Sequence, residues 1–255
     1  RLMKISIITV VRNNAATRND AINSVISQTY KNIEYIVIDG ASTDGTVDVV
    51  QRYLNKIDKF ITEKDHGLYD AMNKGITLAT GDIIGILNSD DIYFDKNVIE
   101  NIVNTFREKK TDSVFGDLHY VDKNNTNKVM RHWKTSNFKL GSFAKGWHPP
   151  HPSFFVKKEV YDKYGLFDLQ LSISADFDLM LRLLEKHQIS SVYLPKILVK
   201  MRTGGQSNNS IKNIIISNKS ILRSFAKNKI KVNKWLYLFN RLMPKLIQVI
   251  KKGKQ

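Results

Sequence analysis

The stretch Gly81-Asp82-Ile83-Ile84-Gly85-Ile86-Leu87-Asn88-Ser89-Asp90-Asp91 runs a short apolar segment directly into two adjacent carboxylates. Ile83–Leu87 is continuously apolar rather than alternating, which predicts a strand buried on both faces. Adjacent carboxylates at the end of such a strand repel one another unless a cation sits beside them. Oxygen ligands suit Mg²⁺ or Mn²⁺. An Asp at a strand-to-helix turn also commonly caps the helix that follows, so the pair alone supports two readings. Upstream, Lys4–Val11, Ile33–Ile38 and Lys59–Thr62 read as strands. Residues 17–28, about 46–54 and 67–78 carry helical spacing between them. This β-α rhythm predicts an α/β fold, a mostly parallel central sheet flanked by helices. Ligands of such sheets bind at the carboxyl ends of the strands, where both Asp39 and Asp90-Asp91 stand.

Beyond Asp95 the pattern loosens. Val98–Phe106 is an amphipathic helix, and Ser113–Val121 and Lys128–Trp133 read as strands around a polar turn. Residues 134–150 read as loop, Pro152–Val156 as strand and Ala175–Lys186 as helix. Ser190–Leu194 and Ile197–Met201 are expected to close the sheet as a pair. The polar stretch Gly204–Ser210 is the candidate boundary before a helical tail.

Of the 255 residues 42% are apolar and none is cysteine, which excludes a disulfide scaffold, thiolate catalysis and thiolate zinc sites. No window reaches the ~18 to 20 apolar residues of a transmembrane helix. Met3 is expected to be the natural start, and residues 5–11 are too short for a signal peptide's apolar stretch. The formal net charge is +16. Residues 1–185 hold 24 basic and 24 acidic side chains, whereas the remainder holds 16 basic and no acidic ones. The excess therefore belongs to the end of the chain and implies an anionic partner there.

Several motifs occur in order. They are Val-Val-Arg-Asn (10–13), Tyr-Ile-Val-Ile-Asp-Gly-Ala-Ser-Thr-Asp-Gly-Thr (35–46), Asp-His-Gly-Leu-Tyr-Asp-Ala-Met-Asn-Lys-Gly (65–75) and the 81–91 stretch. Gly-Leu-Phe-Asp (165–168) and Ser-Ala-Asp-Phe-Asp-Leu-Met-Leu-Arg-Leu (174–183) follow. Together they resemble family 2 glycosyltransferases, in a form found among bacterial enzymes of O-antigen and surface-polysaccharide synthesis. The resemblance covers about Lys4 to Ser207. It implies a GT-A type nucleotide-sugar-binding fold and inverting transfer from a nucleotide sugar, a UDP-sugar being favoured. By the same resemblance, Asp39 bonds the donor's base, and Thr9, Val11 and Asn13 line the first nucleotide-binding loop. Asp90 lies near the ribose and Asp91 holds the metal, Mn²⁺ or Mg²⁺. Asp176 is the general base. His151 and Arg202 are expected at the diphosphate or acceptor, and Lys74 at the nucleotide. Arg12, Asn88 and Ala175 stand where the family often has Tyr, Asp and Glu.

The chemistry agrees. An acceptor hydroxyl is a poor nucleophile, and a placed carboxylate that takes its proton is worth ~10²- to 10⁴-fold. Asp176 and Asp178 lie about 200° apart around a helix, so only one can face a cleft. Asp178 is assigned to the surface or to Arg182, four residues on. For His151 and Lys74, a structural histidine and an exposed helix lysine are the competing readings.

In the tail, Trp235, Leu236, Phe239, Leu242, Met243, Leu246, Ile247, Val249 and Ile250 fall on one half of a helix over 234–252, opposite its lysines. That helix either lies on an anionic membrane or packs on the core. The expected organisation is a GT-A domain over 3–205 and a basic amphipathic tail over 206–255. The expected role is extension of a lipid-linked glycan acceptor at the cytoplasmic face of a bacterial membrane, with no nucleic-acid partner. Two other readings stay open: a nucleotidyltransferase, although residues 10–20 lack the glycines of a triphosphate loop, and a non-catalytic binder of anionic membranes.

Overall fold

A computed structural model describes residues 2–14, 16–204 and 210–241. Its sheet starts from four parallel strands, β1 (Ile5–Val11), β2 (Ile33–Asp39), β3 (Lys59–Thr62) and β4 (Ile83–Ile86). They lie in the order β3-β2-β1-β4. All seven β1 residues are buried because helices cover both faces, the reason the run lacks polar alternation. The helices are α1 (Arg18–Ile26), α2 (Thr46–Gln51) and α3 (Leu68–Leu78). The rhythm expected for this half of the chain holds.

The second half is mixed. β5 (Asp91–Tyr93) follows the acidic pair at once, and α4 (Val98–Lys109) follows it. β6 (Ser113–Val121) and β7 (Val129–Trp133) form an antiparallel hairpin. β8 (Phe155–Lys157) joins β4 to β6, antiparallel to both. Gly85 permits that junction, since a Cβ there would stand 2.5 Å from the Phe155 ring. α5 (Lys158–Tyr164) and α6 (Ala175–Leu181) precede β9 (Ser191–Arg202). β9 is one strand where two were expected. It pairs parallel with β6, with irregular register opposite Gly116–Leu118, and antiparallel with β5. The interruption at Pro195-Lys196 is absorbed as a bulge.

One core layer holds Val11, Ile22, Tyr35, Ile99 and Phe106 on the α1 and α4 side. The other holds Ile8, Ile36, Met72, Phe115, Phe177 and Leu184 on the α3 and α6 side. That second layer also takes in Ile221 and Phe225 of α7 (Ile211–Lys227), and Tyr237 of the helical residues 234–241, here α8. Of the two fates expected for the tail, packing on the core is the one found for α7 and for Tyr237. The boundary at 205/206 and residues 242–252 of the tail helix lie outside the described residues. Among the described residues no helix is long and apolar enough to cross a membrane.

Candidate active site

The loops after β1, β2 and β4 meet at the carboxyl edge and are tied by short polar side chains. Asn13, in the left-handed region at φ 45°, donates its N–H to Ser42 Oγ at 2.9 Å and accepts from Thr43 N–H at 2.9 Å. Asn14 donates from Nδ2 to Ser89 Oγ at 2.8 Å, joining the first loop to the acidic loop. Asp39 is fully buried and accepts from Ser42 N–H at 3.0 Å and from the Ser42 and Thr62 hydroxyls at 2.5 and 2.6 Å. Beside it, a Cβ on Gly40 would fall 2.2 Å from Asp65 Oδ2, so glycine is what lets Asp65 close on the end of β2. Arg12 approaches the other oxygen of Asp65 at 3.9 Å.

The side chains of three residues expected at the nucleotide point into the core or pair within the protein. Thr9 is buried in β1, where its hydroxyl accepts from the Tyr35 phenol at 3.0 Å. Strand alternation turns it, like Val11, into the α1-side core. Val11 reaches the loop only through its carbonyl, which accepts from Gly40 N–H at 2.9 Å. Lys74 pairs with Glu63 at 2.8 Å and Asp70 at 3.6 Å on the flank of α3.

The acidic pair divides its roles. Asp90 is half-buried, while Asp91 is 1% exposed and neither of its carboxylate oxygens has a hydrogen-bond partner among the described residues. Burial, then the Asp90 charge, drives the Asp91 carboxyl well above the usual carboxylate range, with Arg202 opposing. Arg202 itself is buried and wholly engaged. It donates to the carbonyls of Lys123 at 3.2 Å and Asp90 at 2.8 Å, and to the Asp20 carboxylate at 2.5 Å. Here it braces the acidic loop instead of presenting a free guanidinium to a diphosphate.

Asp176 stands at the start of α6 and borders the cleft, whereas Asp178 does not. Its carboxylate accepts from the Tyr69 hydroxyl at 3.1 Å and lies 3.0 Å from His151 Nδ1. Burial pushes its pKa up, but His151, the Phe177 N–H and His148 outweigh this and hold the carboxyl well below its usual range. A cavity of about 50 Å³, bordered by Tyr69, Asn88, His151 and Asp176, opens beside it. Asp178 does pair with Arg182, at 3.4 Å, but it is fully buried. Lys227 and Asn228, at the end of α7, bond it at 3.0 and 3.1 Å. The surface alternative for Asp178 therefore fails, because α7 covers that face of α6.

Residues 6–165 match the sequence profile of Glycosyl transferase family 2. The chain belongs to this family. The match sets aside the nucleotidyltransferase and non-catalytic readings. This family 2 glycosyltransferase is 25% identical over 218 residues to a PGL/p-HBAD biosynthesis glycosyltransferase of Mycobacterium tuberculosis, covering 81% of its own length and 79% of the relative's. It is 29% identical over 232 residues to an uncharacterized glycosyltransferase of Rickettsia typhi, covering 88% and 71%. Its fold is that of S. aureus TarS 1–349 solved with UDP-GlcNAc, with a TM-score of 0.67 and 16% identity over 94% of this chain and 73% of that one. It spans only 44% of the longer TarS chain. A mannosyltransferase of Pyrobaculum calidifontis, solved with GDP-Man and Mn²⁺, gives a TM-score of 0.66 at 18% identity over 95% and 71%. The likeness to these structures establishes the GT-A fold.

Sequence reasoning missed two partners that the glycosyltransferase places around its cleft: Tyr69 on Asp176 and Asn14 on Ser89. Tyr69 lay within a quoted motif, yet its partner is 107 positions away and no local spacing marks it. The same motif's Asn73 clamps both the N–H and the carbonyl of Phe167 at 3.0 Å, which ties residues 65–75 to 165–168.

Proposed function

We propose that this enzyme is an inverting, metal-dependent glycosyltransferase that moves a sugar from a nucleotide-sugar donor, a UDP-sugar in preference to others, to a hydroxyl of a lipid-linked glycan. The reading places it in bacterial surface-polysaccharide synthesis of the O-antigen kind. The observation that carries it is Asp176: an ionised carboxylate, oriented by two donors, on the same cleft as the acidic loop. The UDP and UDP-GlcNAc complexes of TarS support the donor class. The name of the mycobacterial relative, a biosynthetic glycosyltransferase, is consistent with a glycoconjugate acceptor.

A divalent ion fits the acidic pair. Asp91 offers two buried oxygens without hydrogen-bond partners among the described residues, and Asp90 adjoins it. No group of three or more metal-ligating side chains occurs among the described residues. Mg²⁺ and its like are commonly held in this way, by one or two carboxylates with water and substrate phosphate completing the shell. When bound, the ion offsets charge gathering on the departing diphosphate. The chain's own residues do the rest. Asp39, fixed by Ser42 and Thr62, accepts from the base of the donor. Asp176 takes the acceptor hydroxyl's proton as the new bond forms, while Tyr69 and His151 hold its orientation.

The same proposal assigns the catalytic domain to residues 3–205 and the basic tail to 206–255. Trp235 is 85% exposed, and Leu236 and Phe239 are also exposed, beside Lys234. A helix of that kind supports peripheral attachment at the anionic inner face of the membrane.

The test is acceptor-dependent UDP release across a panel of UDP-sugars with Mn²⁺ or Mg²⁺, with the product's anomeric configuration read by proton NMR. Turnover that inverts the donor's configuration and collapses in Asp91→Ala and Asp176→Asn is expected. Near wild-type transfer by either variant would overturn the role assigned to that residue, and retention would overturn the inverting mechanism.

A further inference from the structure

The β6–β7 hairpin carries an aromatic ledge beside the cleft that the proposed reaction leaves unused. Tyr120 stands directly across from Arg131, and Leu118 across from Trp133, so Tyr120, Arg131 and Trp133 share one face of the hairpin. His119 and His132 pair on the other face. The Tyr120 and Trp133 rings are nearly parallel, 3° apart with centroids 6.2 Å apart. The Arg131 guanidinium lies 5.6 Å from the Tyr120 centroid and 6.0 Å from that of Trp133. Trp133 meets the edge of His148 at 5.2 Å, and His148 packs on Phe177, the residue after Asp176. The ledge thus runs up to the proposed base. Burial raises the Tyr120 phenol, Arg131 opposes this, and the Asp91 and Asp176 carboxylates add to the rise.

We propose that this ledge is the acceptor subsite, where a pyranose ring stacks on Trp133 and Tyr120 and Arg131 pairs with an anionic substituent, a phosphate or a carboxylate, on that acceptor. The assignment rests on the proposed transferase reaction and names its second substrate by chemistry. A pyranose has an apolar C–H face rimmed by hydroxyls, and half-buried rings with polar edges suit both parts. A guanidinium beside aromatic rings, with no carboxylate partner, has its N–H edge available for bidentate anion binding. Arg131 is exposed and makes no ion pair with any described residue. Its surroundings draw anions: residues 121–150 carry six lysines and arginines against the single acid Asp122.

The probes are methyl β-glucopyranoside, its 6-phosphate, and methyl β-glucuronide. Each is titrated into the full chain, with UDP and Mn²⁺ present, by ligand-observed saturation-transfer NMR. The two charged pyranosides should bind about tenfold more tightly than the neutral one, with saturation concentrated on ring C–H protons. Arg131→Gln should erase that preference. Trp133→Ala should weaken all three about tenfold while Trp133→Phe keeps most of the affinity. UDP binding should be unchanged in every variant. Equal binding of charged and neutral probes by the wild type, or wild-type binding by Arg131→Gln and Trp133→Ala, would overturn the subsite. Absence of UDP binding by the wild type would overturn the donor reading instead, so the two fail separately.

Discussion

His151 Nδ1 lies 3.0 Å from Asp176 Oδ2 while the Tyr69 hydroxyl donates to the other oxygen of that carboxylate. Two elements far apart in sequence therefore fix one carboxylate. Asp176→Asn should lower kcat by about 10²- to 10⁴-fold and leave UDP affinity intact. His151→Gln should lower kcat less, with little change in donor KM. The carboxyl is held below its ordinary 3.8, so its stabilising contribution is complete above that value and is lost as pH falls through the folded-state pKa. The difference in melting temperature between wild type and Asp176→Asn at pH 5 should narrow below about pH 4.

His148 gives a second pH signature, of a different kind. Burial lowers its pKa from 6.5 to about 4, and its Nδ1 donates to the Pro149 carbonyl at 2.9 Å. Between those two values the unfolded chain takes up a proton that the folded chain refuses, so stability falls as pH drops from 6.5 towards 4. His148→Asn removes the titration. Its melting temperature should decline less steeply across that window than the wild type's.

Asp91 is a buried carboxylate whose oxygens have no hydrogen-bond partner among the described residues, and such a group costs stability unless a cation or a proton neutralises it. Asp91→Asn has nearly the same shape and no charge. In metal-free buffer its melting temperature should equal or exceed that of the wild type. Added Mn²⁺ should raise the wild-type melting temperature and leave the variant's unchanged. A variant clearly less stable than wild type without metal would mean that the carboxylate is satisfied by the fold itself.

The parallel half of the sheet was legible because β1, β2 and β4 are short segments dominated by isoleucine and valine, with turn residues at their ends. β5 was not. Its three residues follow Asp90 at once and become a strand only through pairing with β9, about 110 positions later. Long-range pairing of this kind leaves no periodicity to read. The same limit governs the site. Asp176 was visible from its motif and its place at a helix start, whereas Tyr69 reaches it from 107 positions away. Lys74 and Arg202 were expected at the nucleotide and diphosphate from motif position alone. Their salt partners Glu63 and Asp20 become visible only in three dimensions.

Arg202 anchors β9 to the acidic loop through three acceptors that diverge from one planar guanidinium. Lysine carries the charge but cannot reach all three. Arg202→Lys should cost about 2–3 kcal/mol in stability and weaken Mn²⁺-dependent UDP binding, because Asp90 loses its brace. Calorimetric titration and a denaturant melt measure the two effects. If Arg202 instead served only the diphosphate, UDP affinity would fall with the melt unchanged.

The end of the described chain separates packing from surface. Phe225 is fully buried in the core layer that contains Phe177, and Tyr237 packs edge-on against it at 5.3 Å. Phe225→Ala should cost about 3–5 kcal/mol, as truncation of a buried aromatic does. Trp235, Leu236 and Phe239, within one turn of Tyr237, are exposed. Replacing all three by serine should leave the melting temperature and turnover of water-soluble acceptors unchanged. The same replacement should reduce co-sedimentation with vesicles of mixed anionic and zwitterionic phospholipid, and added salt should reduce wild-type binding too, because Lys234 and its neighbours contribute through screened charge. Equal sedimentation of the triple variant and the wild type would remove the membrane role from this face.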